Sequence, residues 1–424
     1  MAAARTRLNN PRDLRLVTAG QGISMLGTSI SDLALPIVAV DLLGANSLGT
    51  GMLGAASTVA YLAIGLQAGV WIDRLPRRRF LLASDAVRAA LLLAIPILYA
   101  ANLLTLPLLI VIQIGLGMAG TFFNLAWPAY LPRLATGDML LRLNARLALL
   151  GEVSGLLGPG IAGALISIVK APFAVLIDAL SFLVSYVSLA AIRTPEPPPA
   201  RRSGLTVVQE LRDGVRAVWR RRTLRIITIE AINGNIAFSI MIGQSVIYQR
   251  LDLGFEPALI GAVASIGFLG GAIGSQLVPR GLKRYGFGRF ILWSTIAFGV
   301  NEFLLPIASL VPSAWAFPVV ALNYFLGGFF MLLYVVPITS YRQLAVPDRL
   351  LGRVTAVTRV ATWGFGATLG FAVGGVIADA TSRPLALLVA ATLQTVVPIA
   401  IFGSRRFRSL QSIEQAVALD AKRA

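Results

Sequence analysis

Apolar residues fall in twelve runs between Leu16 and Gly403, and polar residues collect in the gaps between them. A helix crosses about 30 Å of hydrocarbon with about 20 apolar residues, and in lipid each backbone N–H and C=O has to be satisfied within its own segment. The pattern predicts transmembrane helices at Leu16 to Leu43, Leu48 to Ile72, Phe80 to Ala100, Leu104 to Pro128, Leu147 to Val169 and Phe173 to Ile192. Six more are predicted at Leu224 to Tyr248, Leu259 to Pro279, Phe290 to Val311, Ala314 to Thr339, Val354 to Ala378 and Pro384 to Gly403. The fold class that follows is an all-α membrane protein.

One long polar stretch separates six helices from six. The predicted organisation is a six-helix bundle over residues 1–192, a linker over 193–223, a second bundle over 224–403 and a tail over 404–424. Within the linker, Val207, Val208, Leu211, Val215 and Val218 recur at helical spacing opposite Arg212, Arg216 and Arg220, which predicts an amphipathic helix at the headgroup surface. A soluble tether is the competing expectation. The halves also repeat. Helix four carries Gln113 and Gly117 and ends Trp127-Pro128, with Arg133-Leu-Ala135 in the loop; helix ten carries Asn323 and Gly327 and ends Val336-Pro337, with Gln343-Leu-Ala345 in the loop. Such duplication implies two pseudo-symmetric bundles with a cavity between them, the arrangement that permits rocking.

Composition agrees with a bilayer and excludes a soluble domain: 56% of residues are hydrophobic and 13% charged, with a mean hydropathy of +0.77. A net charge of +18 suggests nucleic acid until its distribution is read. The N-terminal tail, the even-numbered gaps and the C-terminal tail hold 32 of the 37 Lys and Arg. This is the positive-inside asymmetry, and it predicts a multi-pass protein of a bacterial inner (plasma) membrane with both termini cytoplasmic. No nucleic-acid partner is then needed. The uncleaved first helix is expected to serve as a signal-anchor. The chain has no Cys and no His, so disulfides, thiol chemistry, most metal sites and imidazole relays are removed; no cofactor or metal is expected, and proton chemistry falls to carboxylates.

Between helices two and three, Gly69, Asp73, Arg74, Arg77, Arg78 and Arg79 form a glycine, an acid four residues on and a basic run. This resembles the signature of the major facilitator superfamily, in which it gates the cytoplasmic side; Pro76 stands where the family usually has glycine. The resemblance implies that Gly69 lets two helices approach and that Asp73 caps a neighbouring helix, helix eleven. Helix five carries Ser154, Gly155, Gly158, Pro159, Gly160, Ala162 and Gly163, which resembles the motif associated with antiporters of this superfamily and implies export. Ser24 to Gly27, Ala34 to Pro36, Asp85 to Arg88 and Asp178 to Phe182 are similar to the branch that contains enterobactin exporters and bacterial drug-efflux proteins. The resemblance spans Leu16 to Gly403. The arginine found within helix four of many proton-coupled members is absent, with Gln113 in that region, so no proton relay is expected on helix four.

An ionisable side chain at membrane depth is costly unless it faces a cavity or a partner, so each is a candidate site. Asp32, on a face of helix one with Met25 and Thr28, is the first candidate for proton coupling, followed by Glu152, Glu230 and Glu302. A structural, hydrogen-bonded acid is the alternative for Asp32. Glu230 shares its face with Asn233 and Gln244. The cavity wall is predicted from Gln113, Asn124 and Trp127 in the first half and Asn323 and Tyr334 in the second, amides among aromatics that suit an amphipathic organic molecule. Arg359, inside helix eleven, is expected either to pair with an acid or to reach the membrane surface.

The resulting expectation is a monomeric, proton-coupled efflux transporter that moves a drug-, siderophore- or metabolite-like molecule by alternating access. Its partners would be the cargo, protons and the bilayer. The alternatives are a facilitator or importer of a nutrient or lipid, and a receptor or scaffold that transports nothing. No paired catalytic aspartates or nucleophile with a base suggest an enzyme.

Overall fold

The computed structural model describes residues 9–196 and 207–421, with positions 66, 69, 70, 73, 74, 207, 208, 210, 348 and 349 described by backbone alone. The described residues are helical and turn, without strands. Among the described residues, twelve helices are long and apolar enough to cross a membrane. They are α1 (Pro11–Ile37, prolonged by a π-helical turn Val38–Leu42), α2 (Ser47–Arg74), α3 (Arg77–Ala100), α4 (Leu106–Tyr130), α5 (Asp138–Val169) and α6 (Ala171–Ala190). Then come α7 (Arg222–Leu251), α8 (Pro257–Tyr285), α9 (Phe287–Glu302), α10 (Ser313–Ala345), α11 and α12 (Arg383–Phe402). Helix α11 runs as Asp348–Arg359, a π-helical stretch Val360–Ala367 and Thr368–Ala380. A linker helix covers Val207–Arg220 and a tail helix Ile413–Ala421.

Hydropathy locates these helices but misplaces some ends. Helix α5 starts at Asp138 rather than Leu147. Its added turns bury Leu143 and Leu147 and expose Arg142 and Arg146, so an amphipathic helix continues beyond the apolar run. The ninth span breaks after Glu302 and resumes as Leu304–Ile307 rather than running unbroken to Val311.

The chain divides into two compact units. Unit 1 holds the chain as far as Ala45, from Val59 to the linker, and Glu256–Ala262; unit 2 holds Asn46–Thr58, the linker helix to Phe255, and Val263 to the tail. A linear division at the linker would place Asn46–Thr58 and Glu256–Ala262 the other way. Small residues explain the difference, since helices in lipid associate by close packing rather than by apolar burial. In unit 2 a Cβ on Gly51 would lie 2.5 Å from the Phe371 carbonyl oxygen, and Asn46 Nδ2 donates to Asp379 Oδ2 at 3.1 Å. In unit 1 a Cβ on Gly261 would lie 2.1 Å from the Pro159 oxygen.

The same device organises each interior. In unit 1, Gly20 and Gly27 of α1 lie against Ser188 and Ser181 of α6, and Gln21 Nε2 donates to Ser185 Oγ at 3.0 Å. In unit 2, Gly366, Gly370 and Gly374 of α11 meet Ile232, Ile236 and Ile240 of α7, a four-residue repeat on both helices.

Candidate functional site

Unit 1 holds a charged cluster among apolar spans. Arg88 Nη2 donates to Asp85 Oδ1 at 2.5 Å within one turn of α3, and the side chains are 12% and 0% exposed. The guanidinium lies 4.4 Å from the Phe123 ring centroid and 4.0 Å from that of Phe182, so two aromatic faces complete the cation's surroundings. Asp178 of α6 also lies within electrostatic reach of Arg88 and accepts from Ser181 Oγ at 3.0 Å. Asp32 is an exposed residue of α1, within reach of Asp178, while its neighbour Ser31 is buried. Met25 and Thr28 are half-buried on α1, and Glu152 of α5 is exposed.

Helix α4 places Gln113 half-buried, with its Oε1 enclosed and without a hydrogen-bond partner among the described residues, and Asn124 exposed, with Nδ2 donating to Tyr61 Oη at 3.1 Å. Trp127 stacks on Phe123 with centroids 5.5 Å apart. The aromatic side of the expected α4 wall therefore continues into the Arg88 cluster.

Within its spans, unit 2 buries two described carboxyl groups, Glu230 and Glu302, with neutral partners. Glu230 of α7 is 0% exposed and accepts from the Tyr334 hydroxyl of α10. Glu302 closes α9, where Asn301 Nδ2 donates to the Asn323 carbonyl at 2.9 Å and Asn323 Nδ2 returns the bond to the Asn301 carbonyl at 3.0 Å. Both amides also reach the Glu302 carboxyl, at 3.4 and 3.5 Å. Asn323, expected on a cavity wall, is thus 2% exposed and turned toward α9. Gln244 is likewise enclosed and donates to the Ser47 carbonyl at 3.2 Å, and Asn233 donates to the Leu393 carbonyl at 3.2 Å. Arg342 lies within electrostatic reach of Arg359.

Residues 17–371, which hold α1 to most of α11, match a family model described as Major Facilitator Superfamily. The chain belongs to this superfamily. A relative in Mycolicibacterium fortuitum, the multidrug efflux pump Tap, is 28% identical over 89% of this chain and 90% of its own. The MFS-type transporter YfiS of Bacillus subtilis is 27% identical over 92% of each chain. Among solved structures, the nucleoside transporter NupG superposes with a TM-score of 0.73 at 14% identity, over 92% of this chain and 98% of that one. A bacterial homologue of the iron transporter ferroportin gives 0.72 at 16%, over 93% and 100%. The fold is that of the major facilitator superfamily and the protein is a multi-pass membrane transporter, not an enzyme.

Of the superfamily signature that begins at the end of α2, the side chains of Asp73 and Arg74 and the surroundings of Gly69 lie outside the described residues, so the cap expected from Asp73 is not among the contacts seen. Arg77 and Arg78 are described, and they work through helix ends. Glu196 accepts from the Arg77 and Arg78 backbone nitrogens at 2.9 and 3.1 Å, closing the N-terminus of α3 with a negative charge. Arg78 donates to the Leu189 and Ala190 carbonyls at 3.0 and 2.7 Å, a cation at the C-terminus of α6. In the antiporter-like stretch of α5, Ser154, Gly158 and Pro159 are buried; a Cβ on Gly158 would sit 2.4 Å from Ser29 Cβ, and one on Gly163 would sit 2.3 Å from the Pro257 oxygen.

The Asp85–Arg88–Asp178 cluster was read in the sequence only as a mark of kinship. A sharper signal was available: an acid and an arginine three residues apart inside an apolar run can only be an intrahelical ion pair or a pair shared with a neighbour.

Proposed function

We propose that this superfamily member is a proton-coupled exporter of amphipathic small organic molecules, with both chain ends in the cytoplasm of a bacterial cell. The observation that carries the reading is the pair of buried carboxyl groups in unit 2, Glu230 and Glu302, whose hydrogen-bond partners are the neutral Tyr334, Asn301 and Asn323. A carboxyl held by neutral groups gains or loses a proton without breaking an ion pair. In a chain without histidine such groups are the natural carriers. Asp32, exposed on α1, is the corresponding group of unit 1.

The drug-efflux relative supports export of a drug-like cargo, as do the glycine and proline of α5, and the positive charge of the even-numbered gaps supports cytoplasmic chain ends. Each proton charge crossing 100 mV supplies about 2.3 kcal/mol, a roughly fiftyfold gradient of an uncharged cargo, and a singly charged cation exchanged one for one is driven by the pH difference alone.

The test is flux in proteoliposomes with an imposed pH gradient, using a fluorescent amphipathic cation as cargo and an internal pH dye. Cargo is expected to move against the proton flow and to stop when the gradient is collapsed. Movement in the direction of proton flow would identify an importer, and flux indifferent to the gradient a facilitator; either overturns the reading.

A further inference from the structure

The linker helix does not hang free in unit 2. Gly214 lies against α11 so closely that a Cβ there would sit 2.8 Å from Val357 Cγ2 and 2.9 Å from the Arg353 carbonyl oxygen. Asp213 and Arg353 secure the crossing with an ion pair of 2.7 Å. Beside this crossing is a cavity of about 480 Å³, lined by Arg216, Arg220 and Arg221 from the linker end and by Arg353 and Leu350 from α11. Four guanidinium groups face it against one carboxylate, Asp213, among the described lining side chains. Arg221, 8% exposed, is held in place by its bond to the Ala217 carbonyl at 3.0 Å.

Like charges gathered in one concavity repel each other unless an anion joins them. Arginine suits a phosphate because its planar fork donates two parallel hydrogen bonds to a tetrahedral oxyanion. The position decides which phosphate. The cavity lies where α7 begins at Arg222 and just before the apolar run of α11 that starts at Val354, which is headgroup depth. On the adjoining face of the linker helix, Val215 and Trp219 are 43% and 60% exposed, and Arg225 sits 5.7 Å from the Trp219 ring centroid. Exposed valine and tryptophan next to arginines serve a lipid: the phosphate enters the arginine cavity and the acyl chains lie along the apolar residues.

We propose that this cavity binds the phosphate of an anionic phospholipid, which ties the linker helix to α11. The site is independent of cargo and of proton coupling. It makes this transporter dependent on acidic lipid for the seating of its linker.

The experiment uses the full-length protein in micelles and in phosphatidylcholine nanodiscs. Native mass spectrometry with phosphatidylglycerol titrated against phosphatidylcholine should show phosphatidylglycerol adducts in preference. Affinity should fall about fivefold for each arginine removed, hence about 25-fold in Arg216→Gln/Arg220→Gln. Equal retention of both lipids, or unchanged retention of phosphatidylglycerol by the double variant, overturns the proposal. A parallel arm offers inorganic phosphate alone. If phosphate displaces the lipid and raises thermal stability as far as the lipid does, the site belongs to a soluble phosphate and the lipid assignment fails. Brominated phosphatidylglycerol gives a readout that does not depend on folding of the arginine variants: it should quench wild-type tryptophan emission more than that of Trp219→Phe, and equal quenching counts against the site.

Discussion

Arg88 and Asp85 form an ion pair one turn apart on α3, at 2.5 Å, and the carboxylate is wholly enclosed. Removing the cation strands a buried charge, which typically costs about 3–5 kcal/mol, whereas replacing both members by apolar residues is often close to neutral. Arg88→Leu is therefore expected to lower the thermal unfolding midpoint sharply and Asp85→Leu/Arg88→Leu to recover most of it. A double variant as unstable as the single one would mean that Arg88 acts through Phe123, Phe182 or Asp178 instead.

Asp32 is exposed on α1, whereas Asp85 and Asp178 of the neighbouring cluster are buried. Asp32→Asn is expected to abolish gradient-driven export while cargo binding stays measurable by fluorescence titration. Full export by this variant would remove Asp32 from the mechanism and leave Glu230 and Glu302 to carry it.

Gly261→Ala would place a methyl group 2.1 Å from the Pro159 carbonyl oxygen, a backbone atom that cannot turn aside. Overpacking of this kind costs about 1–3 kcal/mol. Loss of thermal stability in micelles is expected, with the helices held apart at the point where α5 carries its glycine and proline. An unchanged midpoint would show that α5 yields there.

Asp420, in the tail helix, accepts from the Thr223 nitrogen at 3.1 Å, the Leu224 nitrogen at 3.2 Å and the Thr223 hydroxyl at 3.2 Å, and so caps α7 from almost 200 residues away. Asp420→Ala should cost about 1–2 kcal/mol, as for a lost helix cap. Asp420→Asn, which keeps an acceptor oxygen, should cost less. Urea unfolding followed by circular dichroism distinguishes the two; equal effects would assign the role to charge alone.

Lys170 joins α5 to α6 at φ 68° and ψ 152°, a conformation open to glycine and strained by about 1–3 kcal/mol for other residues. Lys170→Gly is expected to raise the unfolding midpoint, the relief exceeding the roughly 0.5–1 kcal/mol of added chain freedom. A lowered midpoint would mean that the lysine side chain contributes more than the strain removes.

The spans and their number were legible because lipid imposes a length and a polarity on each segment independently of its neighbours. Candidate acids were legible for the same reason, since charge inside an apolar run is conspicuous wherever the chain goes. Partner choice was not. Nothing local to Asn323 says that its amide closes a reciprocal bond with Asn301, or that Glu302 sits between them. Nothing local to Asp420 says that it caps α7. The linker shows the division within one element: its valines and leucine opposite arginines foretell an amphipathic helix, but its docking on α11 depends on Gly214 meeting Arg353, 139 positions further along.

Sequence alone therefore determined that this chain crosses the membrane twelve times in two related halves and carries acids within its spans, because solvation in lipid acts on each helix separately. Tertiary structure decided which acids meet a cation, which meet neutral amides and hydroxyls, and which glycines let backbones touch. Those outcomes depend on distances of a few ångströms between segments far apart in the chain.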